Sequence, residues 1–217
     1  MTPIFSVTTP VSSNAILTTT EAKTALGITD SSRDTDLTRL ISRISSAIFR
    51  ACKPRSDGTN PPTLLSEALS DTFRLTCPVD GALLLSRRRV SAVGTVTENG
   101  TALEETDYET DPASGMIYRL SSDGRTCWPS GNITIAYTAG FTTIPDDLKL
   151  AAEVWLRALW RDAYETPTTI NDPLIKVEDI PDVRRIERWV NPTVETLLPA
   201  EVMSILTDGG YVETWIA

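Results

Sequence analysis

The sequence predicts an α+β protein: a small helical bundle with an inserted antiparallel β meander and an extended C-terminal arm. Three observations predict it. Apolar residues recur at three- and four-residue spacing in two separate stretches, 34 to 52 and 145 to 164. Between them the period falls to two, and turn dipeptides punctuate the chain. Beyond residue 166, prolines at 167, 173, 181, 192 and 199 break every candidate helix.

Residues 1 to 17 show no helical period and only scattered apolar side chains, and are expected to form an extended N-terminal arm. Thr18 with Glu21 three residues on is a capping box; Ala22, Ala25 and Leu26 carry the helix to Gly27, which ends it. Asp30 to Asp34 are expected to supply a turn and a second cap. Leu37, Leu40, Ile41, Ile44, Ala47, Ile48 and Ala51 then share one face, with Arg39, Ser42, Arg43 and Arg50 mostly opposite, giving an amphipathic helix of about five turns. Pro54 to Pro62, with Asp57-Gly58 and Pro61-Pro62, must be a loop.

Five β-rich runs follow: Thr72 to Leu75, Ala82 to Leu85, Val90 to Thr97, Met116 to Leu120 and Ile133 to Tyr137. Turn pairs such as Asn99-Gly100, Ser114-Gly115 and Ser130-Gly131 separate them. Pro145 suits a first helical position, and Asp146 and Asp147 complement the helix dipole. Leu148, Ala151, Ala152, Trp155, Leu156 and Leu159 form the buried stripe of a helix expected to run to Tyr164. The organisation expected is an arm at 1–17, a helical core at 18–72 and 141–165, a β insertion at 73–140 and a C-terminal assembly arm with short helices at 166–217.

With 217 residues, 41% hydrophobic and 23% charged, the chain can bury one sizeable core or two modest ones, which excludes a disordered polypeptide. A net charge of −9 argues against a DNA-coating protein. The absence of histidine removes the commonest general base and metal ligand together. Cys52, Cys77 and Cys127 form no CxxC pair and read as small buried residues in a reducing compartment. No window approaches the roughly 20 apolar residues of a membrane span, so a soluble chain made in the cytoplasm, with no membrane partner, is expected. Residues 1 to 145 carry 15 acids and 13 bases, net −2; residues 146 to 217 carry 14 acids and 7 bases, net −7. Sixteen of the 20 bases are arginine, which favours fixed bidentate contacts.

Asp30, Asp34 and Asp36 lack the central glycine and terminal glutamate of a calcium loop and read as helix caps. Glu104, Glu105, Asp107, Glu109 and Asp111 gather carboxylates near one hairpin, where a carboxylate-pair hydrolase would need its acids, but without an aromatic platform they read as a solvated hairpin. No GxSxG, P-loop or GxGxxG occurs, so no catalytic, cofactor or metal residue is assigned. Arg87, Arg88 and Arg89 are the one basic run, able to meet water, carboxylates or phosphates. Trp155, Trp160 and Tyr164 are expected in the core. Trp189, Leu198, Val202, Leu206 and Trp215 lie in the proline-broken tail and are expected to need a partner surface.

The order helix, long helix, β insertion, long helix and tail resembles the head-tail connector (adaptor or head-completion) family of tailed bacteriophages. The likeness runs through Thr18-Thr19-Thr20-Glu21-Ala22-Lys23 with Leu26-Gly27-Ile28, then Asp34-Thr35-Asp36-Leu37 and Leu40-Ile41. It continues through Val90-Ser91-Ala92-Val93 to Gly100, Leu103 and Asp107-Tyr108, then Gly115-Met116-Ile117-Tyr118-Arg119 and Trp128-Pro129. Its most specific piece is Ile133-Thr134-Ile135-Ala136-Tyr137-Thr138-Ala139-Gly140-Phe141 leading into Ile144-Pro145-Asp146-Asp147-Leu148-Lys149. Leu197-Leu198-Pro199-Ala200-Glu201-Val202 is similar to a terminal helix of some members. Arg89 departs from the proline many relatives place before the residue matching Val90, and residues 165 to 196 match nothing in the pattern.

The resemblance implies a structural virion protein at the head-tail interface, forming a ring, usually of twelve copies, beneath the portal protein. It implies tail or stopper proteins as further partners, DNA only as non-specifically passing cargo, and no cofactor. Another tail or baseplate structural protein is the alternative, and the hydrolase reading a remote third.

Overall fold

The computed structural model describes residues 2–122, 124–165, 177–180, 184–187 and 198–212. Helices α1 (Thr19–Leu26), α2 (Asp34–Cys52), α3 (Asp146–Trp160) and α4 (Ala200–Asp208) pack into one body. Two antiparallel sheets form the other. The larger runs β1 (Ile4–Thr9), β2 (Glu67–Leu75), β9 (Gly131–Ala139), β4 (Val90–Glu98), β5 (Thr101–Ala102). The smaller runs β3 (Leu83–Leu84), β7 (Met116–Ser121), β6 (Tyr108–Asp111), with β8 (Gly124–Thr126) also pairing with β7. A separate hairpin pairs β10 (Val177–Ile180) with β11 (Arg184–Glu187).

Thr18 caps α1 as its sequence predicts: its hydroxyl accepts the Glu21 N–H at 3.2 Å, while the Glu21 carboxylate accepts the Thr18 N–H at 2.8 Å. Gly27 closes the helix at φ 68°, which glycine reaches without strain. Glu21 also accepts from Lys149 Nζ at 2.6 Å, tying the first helix to α3. The second cap differs from expectation. Arg33 occupies the N-cap of α2 without a side-chain bond, because Asp30 turns back to accept from the Ser32 N–H at 2.9 Å. Pro145 is likewise the N-cap of α3 rather than its first residue, and a π-helical turn at Arg161–Glu165 follows Trp160.

Leu37, Ile41, Ile44, Ile48 and Phe49 of α2 meet Leu148, Ala151, Ala152, Leu156 and Trp160 of α3 in the helical core. Leu40, Trp155 and Leu159 are partly buried at its margin, and Tyr164 stacks on Trp160 with ring centroids 4.4 Å apart. Leu69, Phe73, Ile117, Trp128, Ile133 and Ile135 anchor a second core between the sheets. Of the cysteines only Cys52 is buried; Cys77 and Cys127 are exposed, since both sit in the loops flanking the Val79–Trp128 bridge rather than on an inward strand face.

Residues 1–17 do not form a separate arm. Ile4–Thr9 pair with β2, and Ile16 and Leu17 enter the helical core, where the Ile16 N–H donates to the Ser45 hydroxyl at 2.9 Å. The outer edge of β1 is covered by the 54–62 loop: Asp57 accepts the Val7 N–H at 3.2 Å and Arg55 donates to the Pro3 carbonyl at 2.7 Å. An uncharged edge strand is thereby kept from pairing with other chains. The meander also has more strands than the five expected, because β1, β5, β6 and β8 are short or polar. At the junction of the two bodies Gly140 takes φ 112°, and a Cβ there would lie 2.3 Å from the Leu65 carbonyl oxygen.

The Lys149 hydrogen bond, with those from Thr18, holds the Glu21 carboxyl at about 2 against an ordinary 4.5. A depressed carboxylate contributes stability above its unfolded value and loses it as pH falls toward the folded value. The melting temperature is therefore expected to fall between pH 4.5 and 2, and Lys149→Met to flatten that fall in a pH series of thermal melts. An unchanged slope in the variant would refute the assignment.

Candidate assembly surfaces

The inward positions of β2 carry two acids among its apolar residues: Glu67, Leu69, Asp71, Phe73 and Leu75 are all buried. Asp71 accepts from the Ser86 N–H at 2.6 Å, the Ser86 hydroxyl at 2.7 Å and the Tyr137 hydroxyl at 3.0 Å. Tyr137 in turn accepts the Arg87 N–H at 3.3 Å. Burial pushes the Asp71 carboxyl up against these donors, and burial with the facing carboxylate pushes the Tyr137 hydroxyl up. Glu67 meets Arg87 Nη2 at 3.4 Å and accepts the Val11 N–H at 3.4 Å; its carboxyl too is raised by burial, which the Arg87 charge opposes.

The arginine run divides three ways. Arg87 is 5% exposed, donates to the Thr63 carbonyl and lies 5.8 Å from the Phe5 ring centroid, so within this chain it is an internal strut. Its inward path follows from Glu67, a buried carboxylate that demands a cation. Arg88 is exposed. Arg89 takes φ 59° and places its guanidinium 4.5 Å from the Phe141 ring centroid and 5.7 Å from that of Tyr211. A proline, locked near φ −65°, would not fit that positive φ.

The C-terminal residues offered as a partner surface are likewise used internally. Leu198, Val202 and Leu206 are buried in the helical core against α3, and Tyr211 is 6% exposed with its ring edge on Phe141, 5.9 Å between centroids. The prolines fix segment ends without preventing a nine-residue helix between Pro199 and Gly209 that packs on the chain itself. Trp189 and Trp215, with most of residues 166–197, lie outside the described residues.

The acidic hairpin is engaged locally. Glu104 and Asp107 bracket a 3-10 turn at Glu105–Asp107, Arg119 pairs with Glu98 at 3.0 Å and Asp107 at 3.6 Å, and Arg125 pairs with Glu109 at 3.1 Å. Asp111 accepts from Ser114 at 2.6 Å. Among the described residues no group of three histidine, cysteine or carboxylate side chains is placed to hold a metal, and no helix is long and apolar enough to cross a membrane. What the surface does offer is exposed apolar side chains, Leu84 beside its cross-strand neighbour Met116 and Leu150 on α3, and on α2 the exposed Arg43 and Arg50, which have no ion pair among the described residues. Periodicity cannot reveal Leu84 and Met116 as surface, because a β-rich run looks the same whichever face it buries.

A family model described as head completion protein matches residues 15–171. No curated protein matches the chain significantly. Among solved structures, a chain from "Neck of empty GTA particle computed with C6 symmetry" is 16% identical, covering 75% of this chain and 86% of its own, with a TM-score of 0.49. One from "Neck of native GTA particle computed with C12 symmetry" is 18% identical, covering 76% and 87%, with a TM-score of 0.44.

Three adjacent arginines should therefore respond differently to alanine in chemical denaturation. Arg87→Ala strands a buried carboxylate and is expected to cost about 3 to 5 kcal/mol. Arg89→Ala loses stacking of about 1 kcal/mol. Arg88→Ala should stay within about 0.5 kcal/mol of the parent. Equal losses at all three would contradict the division.

Proposed function

This chain belongs to the head completion protein family, and from that premise we propose that it forms an oligomeric ring beneath the portal protein, joins the phage head to the tail and lines the DNA channel. The family match over residues 15–171 carries the reading, because it spans helices α1 to α3 and strands β2 to β9. The connector role makes the protein a structural part of the virion rather than an enzyme, in keeping with carboxylates that are spent on caps and ion pairs.

Charge supports the channel. A subunit of net −9 repels phosphates across a Debye length of about 8 Å at physiological salt, so passing DNA meets a wall that does not hold it. Twelve copies, with tail or stopper proteins seated on the far face, are the ring's expected form. The acidic stretch after residue 145, net −7, suits a basic receiving surface on the portal, with residues 166–197 as the assembly arm.

Imaging of particles made without this protein tests the reading. DNA-filled heads that lack tails, restored by supplying the protein in trans, are expected; normally tailed particles, or labelled protein found at the distal end of the tail, would overturn it. Purified protein should show no binding to duplex DNA at 0.15 M salt by anisotropy. A micromolar affinity that falls steeply with salt would contradict the channel-wall role.

A further inference from the structure

Within the residues that match the family, 15–171, the larger sheet ends at β2; β1 is laid on that edge from outside the match. Its hold is slight for a strand. Phe5 and Val7 are only partly buried against the sheet core, and Ile4, Ser6, Thr8 and Thr9 are exposed. The register runs from Ile4 opposite Thr72 to Thr9 opposite Ala68, with a shift between Val7 and Thr9. What seats β1 is a slot, bounded on one side by β2 and on the other by the 54–62 loop, where Asp57 accepts the Val7 N–H and Arg55 donates to the Pro3 carbonyl.

No side chain of β1 joins the helical core, yet Ile16 and Leu17, a few residues along, are fixed in it. Residues 10–15 therefore cross from one body to the other. They form no helix or strand; the Val11 N–H donates to Glu67 at 3.4 Å, and the Ala15 N–H only to the neighbouring Ser13 hydroxyl at 3.3 Å. Asn14 holds a buried side-chain oxygen with no hydrogen-bond partner among the described residues. A groove of about 670 Å3 opens between the segment 13–19, α2 and the Pro61-Pro62 turn, so the linker is incompletely packed there. An orphaned acceptor and an unfilled groove both count against this path of the linker. Extended, its six residues reach about 20 Å, enough to carry β1 off its own sheet.

We propose that β1 is exchanged between neighbouring copies, the Ile4–Thr9 strand of each lying in the slot between β2 and the 54–62 loop of the next. An exchanged strand makes the same bonds that it makes on its own chain, so only the path of the linker and the joining of copies differ. A strained connection invites such exchange. Inside a ring the neighbouring slot is also present at high effective concentration. Each copy gives one strand and receives one, a heterologous contact that continues round a ring rather than closing a two-fold pair. The inference rests on the ring reading and supplies it with a subunit contact made of backbone bonds.

The test uses the full chain carrying Ser6→Cys and Ser70→Cys, positions that face each other across β1 and β2, in a background of Cys77→Ser and Cys127→Ser, which removes the exposed thiols. Isotopically light and heavy copies are mixed in equal parts as free subunits, added to DNA-filled heads made without the protein, and treated with bismaleimidoethane. Mass spectrometry of the head-bound protein is expected to find mixed light–heavy bridges between the two positions as about half of all bridges, the share that randomly placed neighbours give. Bridges confined to light–light and heavy–heavy pairs, or no bridge at all, would overturn the exchange. So would a covalent dimer with no larger species on a denaturing gel, which means a closed two-fold swap. Own-chain bridges in heads that regain tails overturn the exchange and leave the connector reading standing; mixed bridges in heads that stay tailless, with the parent chain as well, overturn the connector reading alone.

Discussion

The burial of two carboxylates on one strand is the constraint on which much of the structure depends. Glu67 and Asp71 occupy inward positions of β2, the strand that pairs with β9 over nine residues and carries β1 on its other side. An ionised carboxylate removed from water must recover its hydration energy from donors and cations. Ser86, Tyr137 and Arg87 provide them, which fixes the course of residues 85–89. With Arg87 turned inward and the next residue outward, Arg89 arrives over Phe141 and Tyr211, and so reaches the residues just beyond α4. A demand for solvation in the sheet thus propagates to the last described segment of the chain.

The same seam explains how two hydrophobic cores coexist in one chain. The helical core and the sheet core do not merge; between them run the Glu67–Arg87 pair, the Thr63 carbonyl and the crossing of Gly140 past Leu65. Phe141 donates its N–H to the Leu64 carbonyl at 2.8 Å and accepts the Ser66 N–H at 2.9 Å, so backbone bonds as well as side chains cross the boundary. Directional bonds specify an orientation that two apolar surfaces alone would leave free to slide.

Legibility followed the strength of the periodic signal. The bounds of α2 and the capping box of α1 were evident because 19 residues of apolar stripe and a reciprocal cap have few rival explanations. Strand β2 was visible only from Thr72 onward, since its two inward acids break the alternation by which a half-buried strand is recognised. Strands β5 and β8, of two and three residues, are too short for any pattern, and β1 is legible only through the partner whose edge it covers. Arg87, Arg88 and Arg89 were visible as a group but not as individuals. Their separate fates depend on Glu67 and Phe141, which are 20 and 52 residues away from the nearest of them.

The internal use of Leu198, Val202 and Leu206 changes what assembly must rely on. Had these side chains waited for a partner, a single large apolar surface would have driven binding, at the risk of aggregation before assembly. With them buried, the described surface offers small apolar spots, such as the Leu84–Met116 pair and Leu150, and dispersed charges. Contacts of that kind are individually weak, because exposed ion pairs contribute little and each must offset lost side-chain freedom. A closed ring converts them into strength, since each added subunit makes two contacts and the last joins at an effective concentration set by the ring itself. On the ring reading proposed above, an acidic chain with modest surfaces is suited to a site where assembly should begin on a template and not in free solution.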